Sequence, residues 1–113
     1  MSKRKILLEY RAGILKALAD PARLEIIELL KNGEKCVCEI IPMLGKTQST
    51  TSKHLDILYR EGILDRRIDG KRTLYRIKDP KKIFQLLKMI DSLILDKLSP
   101  LTKTVKILKS FKS

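Results

Sequence analysis

The apolar residues of this chain leave the helical period in one segment, and that break decides what it can fold into. Up to Leu58 they recur at intervals of three and four, whereas Leu64, Arg66 and Ile68 alternate with Asp65 and Arg67. A period of two describes a strand with two different faces. Asp69-Gly70 supplies a left-handed turn, and Arg72 to Ile77 returns through Thr, Tyr and Ile, so residues 63–78 predict a β-hairpin.

Helical sequence lies on both sides of it. From Lys5 to Ala19, the residues Ile6, Leu7, Tyr10, Ile14, Leu15 and Leu18 line one face of an amphipathic helix. Asp20 is a good N-cap and Pro21 fits the first helical position of a second helix, in which Leu24, Ile27 and Leu29-Leu30 form an inward stripe ending at Asn32-Gly33. A short helix near Cys38 to Leu44 is closed by Gly45, and Pro42 keeps it brief. Thr47 then caps a helix with Thr51, Leu55 and Leu58 facing inward. Two short helices joined by a Gly-containing turn make a helix-turn-helix, and with the hairpin beside it the architecture is a winged helix, mainly α with a β wing.

The helix from Thr47 to Tyr59 has an unusual outer face. Solvated helix faces favour Glu, Lys, Arg and Ala, but this one carries Gln48, Ser49, Thr50, Ser52 and Lys53, which cost propensity unless they contact something such as the edges of bases. At about 100° per residue, Ser49, Lys53 and Arg60 point directly away from the inward stripe, and His54 sits half buried to one side.

Charge points to the same partner. The chain of 113 residues carries 25 basic and 13 acidic side chains, a net +12, which favours a polyanion. Residues 46–78 hold nine basic against four acidic groups, and residues 97–113 hold five lysines and no acid. Aromatics are 4% with no Trp, too few for a base-stacking platform, so duplex DNA is favoured over single strands or RNA. Arg66, Arg67, Lys71 and Arg72 at the hairpin tip are expected to lie along a phosphate backbone or in a minor groove.

The length suits one domain spanning 1–113. After Asp79-Pro80, residues 80–112 carry Ile83, Leu87, Ile90 and Ile94, widened by Leu86, Leu93 and Leu98 and continued past Pro100 by Leu101, Val105, Leu108 and Phe111, with Lys103, Lys106, Lys109 and Lys112 behind. A stripe this long exceeds what so small a protomer can cover and predicts a dimer seam. No apolar run reaches the roughly 18 residues that cross a bilayer, and the Lys3-Arg4-Lys5 start leads only into Ile6-Leu7-Leu8 before Glu9, so a cytoplasmic protein is expected.

An enzyme is not expected. Ser52, His54 and Asp56 are spaced two apart on a helix, so His54 projects away from both. The sequence also lacks a Gly-rich phosphate loop, a carboxylate pair in an apolar setting and a cluster of metal-ligand residues. The reactive constellation is Cys36 and Cys38, expected as reduced thiols. Thiolates bind soft ions such as arsenite, Cu(I), Cd(II) or Zn(II). On a helix, residues two apart point about 200° from each other, so one ion could bind both only if the helix start unwound. That would disturb Gln48 to Lys53. The pair could instead be packed small residues or a redox switch, in which an internal disulfide is the less favoured form because its ring is tight.

Leu18-Ala-Asp-Pro-Ala-Arg-Leu-Glu-Ile-Ile, Cys36-Val-Cys-Glu-Ile, Gln48-Ser-Thr-Thr-Ser-Lys-His-Leu, Gly62-Ile-Leu, Gly70-Lys-Arg and Tyr75 occur here in order. Together they resemble the ArsR family of metal- and arsenic-sensing winged-helix repressors, across most of the chain. The resemblance implies a homodimer joined through its first and last helices, bound to an inverted-repeat operator until an effector releases it. It implies base contacts from Gln48, Ser49, Ser52 and Lys53, with Thr50 and His54 near flanking phosphates. In arsenic-sensing members a third cysteine follows three residues after the second; here that position is Ile41, so a third ligand would come from solvent, a small thiol or a non-Cys side chain. The second metal site of zinc-sensing relatives uses acidic and His residues on the last helix, which here has Asp91 and Asp96 but no His. A redox-responsive regulator or a constitutive, architectural DNA-binding protein of the same fold is the alternative.

Overall fold

A computed structural model describes residues 2–99 and 102–111. Pro100, Leu101 and Lys112, named above, lie outside them, as do the side chains of Lys103 and Val105. The chain divides into two compact units, residues 1–79 and 80–113.

The first unit begins with α1 (Lys3–Leu18) and α2 (Pro21–Leu29). Asp20 caps α2 as its composition predicts, accepting from the backbone N–H of Ala22 at 2.8 Å and of Arg23 at 3.2 Å. The inward face of α2 is Ala22, Ile26, Ile27 and Leu30, with Leu24 and Leu29 only half buried. Next come β1 (Lys35–Cys36), α3 (Val37–Leu44) and α4 (Gln48–Arg60), the last two separated by Gly45 in the left-handed region (φ 71°). Thr51, Leu55 and Leu58 of α4 are buried as their spacing predicts.

The hairpin is β2 (Leu64–Asp69) with β3 (Arg72–Ile77). The sheet has three strands, in the order β1-β3-β2, all antiparallel. Two residues are too few to show a period, so β1 had no sequence signal. Its pairing, Lys35 with Tyr75 and Cys36 with Leu74, ties the cysteine segment to the wing through the backbone. Leu64, Leu74, Tyr75 and Ile77 seat the sheet in the same core as Ile26, Ile40 and Leu55.

In the second unit, α5 (Pro80–Leu98) packs with α6 (Thr102–Phe111). A cleft of about 110 Å³ between them is lined by Ile94, Leu95, Leu108, Phe111 and Asp91. No residue of α5 is buried, and Met89, Leu93 and Ile94 stand exposed on it. In the first unit α1 likewise exposes Leu7, Tyr10, Ile14 and Leu15.

Candidate nucleic-acid interface and thiol pair

The outer face of α4 is built from its N-terminus. Thr47 is extended and its hydroxyl accepts from the Thr50 N–H at 3.1 Å. The helix thus starts with Gln48, Ser49, Thr50, Ser52 and Lys53 all exposed, and without an acidic side chain in its first turn. An uncompensated helix N-terminus with short polar side chains favours an anion. His54 is half buried, as expected. Its Nδ1 lies 3.1 Å from Arg23 Nη1. A guanidinium can only donate, so Nδ1 is the acceptor and the imidazole proton resides on Nε2.

Sequence reasoning missed Arg23. The same guanidinium donates from Nε to the Ala17 carbonyl at 2.6 Å and from Nη2 to the Lys16 carbonyl at 3.1 Å. It therefore caps the C-terminal end of α1 while holding His54 of α4. The contact joins residues 31 apart in sequence, and spacing carries no trace of it. Asp20, one turn away, completes the cluster. Burial pushes its carboxyl up, but hydrogen bonds from the Arg23 and Ala22 N–H groups, with the Arg23 charge, hold it below its ordinary value of 3.8.

The wing departs from expectation. Asp69 pairs with Arg72, so the turn is Gly70-Lys71, with Gly70 at φ 63°. Lys71 and Arg72 are at the tip, but Arg66 and Arg67 stand opposite Tyr75 and Leu74, in the middle of the ladder. The strands are six residues each, longer than a tip position allows. Arg67 is moreover bound by Glu34 through two hydrogen bonds, Nε to Oε2 at 3.0 Å and Nη2 to Oε1 at 2.5 Å. The Arg67 guanidinium in turn holds the Glu34 carboxyl below the usual range. Arg66 lies over the Tyr59 ring, 3.9 Å from its centroid, and 3.8 Å from Asp56. Arg76 pairs with Asp65 at 2.8 Å. Of the four wing cations read from the sequence, Lys71 has no acidic partner within salt-bridge distance among the described residues and Arg72 only a long one, Asp69 at 3.5 Å.

Two expectations for the cysteines are corrected. They are joined in a disulfide rather than standing as reduced thiols. Nor does the helix start have to unwind for the sulfurs to meet. Helix α3 begins at Val37, and Cys36 lies outside it as the extended N-cap (φ −69°, ψ 147°). This brings the two Cα atoms within 5.1 Å, inside the ordinary range for a bridged pair. Cys36 Sγ accepts from the Cys38 N–H at 3.0 Å and Glu39 Oε1 from the Cys36 N–H at 3.0 Å, which closes a capping box. Cys36 is buried and Cys38 exposed. Among the described residues no group of three or more His, Cys, Asp or Glu side chains is placed to hold a metal ion. The donor set fits a thiophilic ion only as two sulfurs from a reduced pair, completed by an outside ligand.

These parts meet in one groove of about 560 Å³ between α3, α4 and the wing. Cys36 and Cys38 line it together with Gln48 and Ser52 of α4 and with Lys71 and Arg72 of the wing.

Residues 20–66 match the family model described as "Bacterial regulatory protein, arsR family". An HTH-type transcriptional regulator of Methanocaldococcus jannaschii is 44% identical over 86 residues, covering 75% of this chain and 96% of that protein. The arsenical resistance operon repressor of Staphylococcus xylosus is 38% identical over 64 residues, or 57% of this chain and 62% of that protein. Among solved structures, the homodimeric winged helix-turn-helix DNA-binding domain of a possible ArsR-family regulator from Mycobacterium bovis superposes with a TM-score of 0.73 at 33% identity, covering 81% of this chain and 87% of that one.

Proposed function

From the premise that this chain belongs to the arsR family of bacterial regulatory proteins, and is thus a transcriptional regulator and not an enzyme, we propose that it is a sequence-specific repressor. It binds an inverted-repeat operator as a homodimer and is released by chemistry at Cys36 and Cys38. The observation that carries this reading is the shared groove: the exposed start of α4, the tip of the wing and the cysteine pair line one surface.

In this reading Gln48, Ser49, Ser52 and Lys53 read base edges in a major groove, and Thr50 and His54 contact flanking phosphates. Lys71 and Arg72 engage the backbone beside them, with Arg66 and Arg67 as supports of the wing. The apolar faces left open on α1 and α5 are where the second copy docks. All 113 residues then serve one DNA-binding domain, with residues 80–112 supplying dimerisation helices. Reduced Cys36 and Cys38 would hold arsenite or a soft metal ion, an effector class that the name of the staphylococcal relative supports. The ion neutralises two thiolates and ties them together. Because Cys36 pairs with β3 and Cys38 lies in the first turn of α3, such a change is felt by the wing as well as by the recognition helix. As a DNA-binding regulator with no helix long and apolar enough to cross a membrane among the described residues, it would work in the cytoplasm.

A second reading is favoured by the disulfide itself: the pair switches between dithiol and disulfide, and DNA affinity follows. One experiment separates the two. Operator binding is titrated with arsenite and a panel of soft ions, and separately with oxidant, for the wild type and for Cys36→Ser with Cys38→Ser. Ion sensing requires a loss of binding in reduced wild type that the double variant lacks; a response to oxidant alone selects the redox reading. Equal responses in both proteins would sink both, and equal affinity for operator and random duplex would leave an architectural protein.

A further inference from the structure

The groove has a chemistry of its own. It is lined by the Cys36–Cys38 disulfide with Val37 and Ile41, by Ile68 and Tyr75, and by the cations Arg66, Lys71 and Arg72. No Asp or Glu is among its lining residues. The nearest acids known to touch those cations are Asp69 on Arg72 at 3.5 Å and Asp56 on Arg66 at 3.8 Å. An electrophilic sulfur bond thus lies in a half-apolar groove that three cations also line.

We propose that this groove is a binding site for a small anionic thiol, which reduces the Cys36–Cys38 disulfide in place and competes with DNA while bound. The proposal rests on the redox reading above.

The two sulfurs differ in a way that orders the reaction. Cys38 is exposed and Cys36 is buried, so the incoming thiolate attacks Cys38 Sγ. The bond between the two protein sulfurs breaks and its electron pair leaves on Cys36 Sγ, which later takes a proton from water. That sulfur already accepts the Cys38 N–H at the N-terminus of α3, a position that stabilises thiolate and improves the leaving group. A second anionic thiolate attacks the mixed disulfide at the small molecule's sulfur, releasing a small-molecule disulfide and the Cys38 thiolate, which is protonated. Two thiols are oxidised to one disulfide, and the protein pair gains two electrons and two protons.

Charge selects the partner. Lys71 and Arg72 attract a carboxylate and repel an ammonium, and the effect is strong only at low ionic strength. Gln48 and Ser52 line the same groove, so operator DNA and the thiol compete for it.

The test uses the full chain after mild oxidation, without DNA, and reads thiol release by mass spectrometry. Mercaptopropionate, mercaptoethanol and mercaptoethylamine are compared as rates per thiolate, which removes differences in thiol acidity. The expected order is anionic, neutral, cationic, with about tenfold between the ends at low salt. That spread should shrink in high salt and in Lys71→Gln with Arg72→Gln, and operator DNA should slow mercaptopropionate. A flat or reversed order overturns the proposal, as does a spread insensitive to salt or a pair that stays as two thiols after oxidation. Salt dependence is read on the wild type, so the proposal stays testable if the double variant folds poorly. Because these rates are measured on free protein, they stand or fall independently of whether the disulfide alters operator affinity.

Discussion

Arg23 donates to His54 Nδ1 across 3.1 Å, joining the start of α2 to the recognition helix. The same side chain binds the carbonyls of Ala17 and Lys16, so its loss removes a donor from Ala17 and from His54 at once, while the Lys16 carbonyl keeps the Ala19 N–H. Arg23→Ala should cost about 2 kcal/mol of stability. Arg23→Lys should recover less than half, because an ammonium lacks the planar fork. If the contact positions His54 for DNA, Arg23→Ala and His54→Ala will be non-additive in operator affinity by about 1 kcal/mol in a double-mutant cycle. Strict additivity would show that Arg23 serves stability alone.

Asp20 makes a pH prediction. Its carboxyl is held below its ordinary value of 3.8 in the folded chain, so the folded state binds fewer protons there than the unfolded one. The capping stability is therefore present above that value and lost as pH falls through it toward the lower folded value. Thermal melts of the wild type and Asp20→Ala should be well separated at about pH 6 and draw together as pH falls below 3.8. A gap that widens on acidification would contradict this assignment.

Thr51 offers a stabilising substitution. Its side chain is fully buried on the inner side of α4, and its hydroxyl has no hydrogen-bond partner among the described residues. Removing an unpaired buried hydroxyl while keeping the shape relieves a desolvation cost of about 1 kcal/mol. Thr51→Val should raise Tm by about 4 °C and leave operator affinity unchanged. A lower Tm would mean that the hydroxyl is satisfied in solution.

How much of this was legible follows from what kind of interaction each residue makes. The inward face of α4, Ile27 and Leu30 of α2, the caps at Asp20 and Thr47 and the left-handed Gly70 are local, and spacing and residue type reveal them, whereas Ala22 and Ile26 take the buried places expected of Leu24 and Leu29. The exposed polar start of α4 was equally plain, because an outer face without acids is visible in one turn of sequence. What escaped was long-range. The Arg23–His54 contact and the Glu34–Arg67 pair, 33 residues apart, depend on which side chains the fold brings together. Strand β1 is too short to have a period and exists because β3 offers an edge. The cysteine geometry was misread for a local reason: the expectation treats both cysteines as helical, whereas α3 starts at Val37 and leaves Cys36 as an extended cap, which turns two opposed sulfurs into neighbours.

The Glu34–Arg67 pair also changes which wing residues should matter for DNA. Arg67 is already committed to a carboxylate, whereas Lys71 at the turn has none within reach among the described residues and Gln48 stands exposed at the start of α4. Lys71→Ala should therefore weaken binding to all duplexes alike and reduce the salt slope by about one, while Arg67→Ala changes both by less. Glu34→Gln should act in the opposite sense, releasing a guanidinium beside the DNA and steepening the slope. Gln48→Ala should instead relax preference at one or two base pairs by about 1–3 kcal/mol and leave the slope unchanged. Affinities over a salt series, on operator and scrambled duplex, separate the three behaviours. A uniform loss for Gln48→Ala would remove it from base reading, and an Arg67→Ala loss equal to that of Lys71→Ala would mean that DNA draws Arg67 away from Glu34.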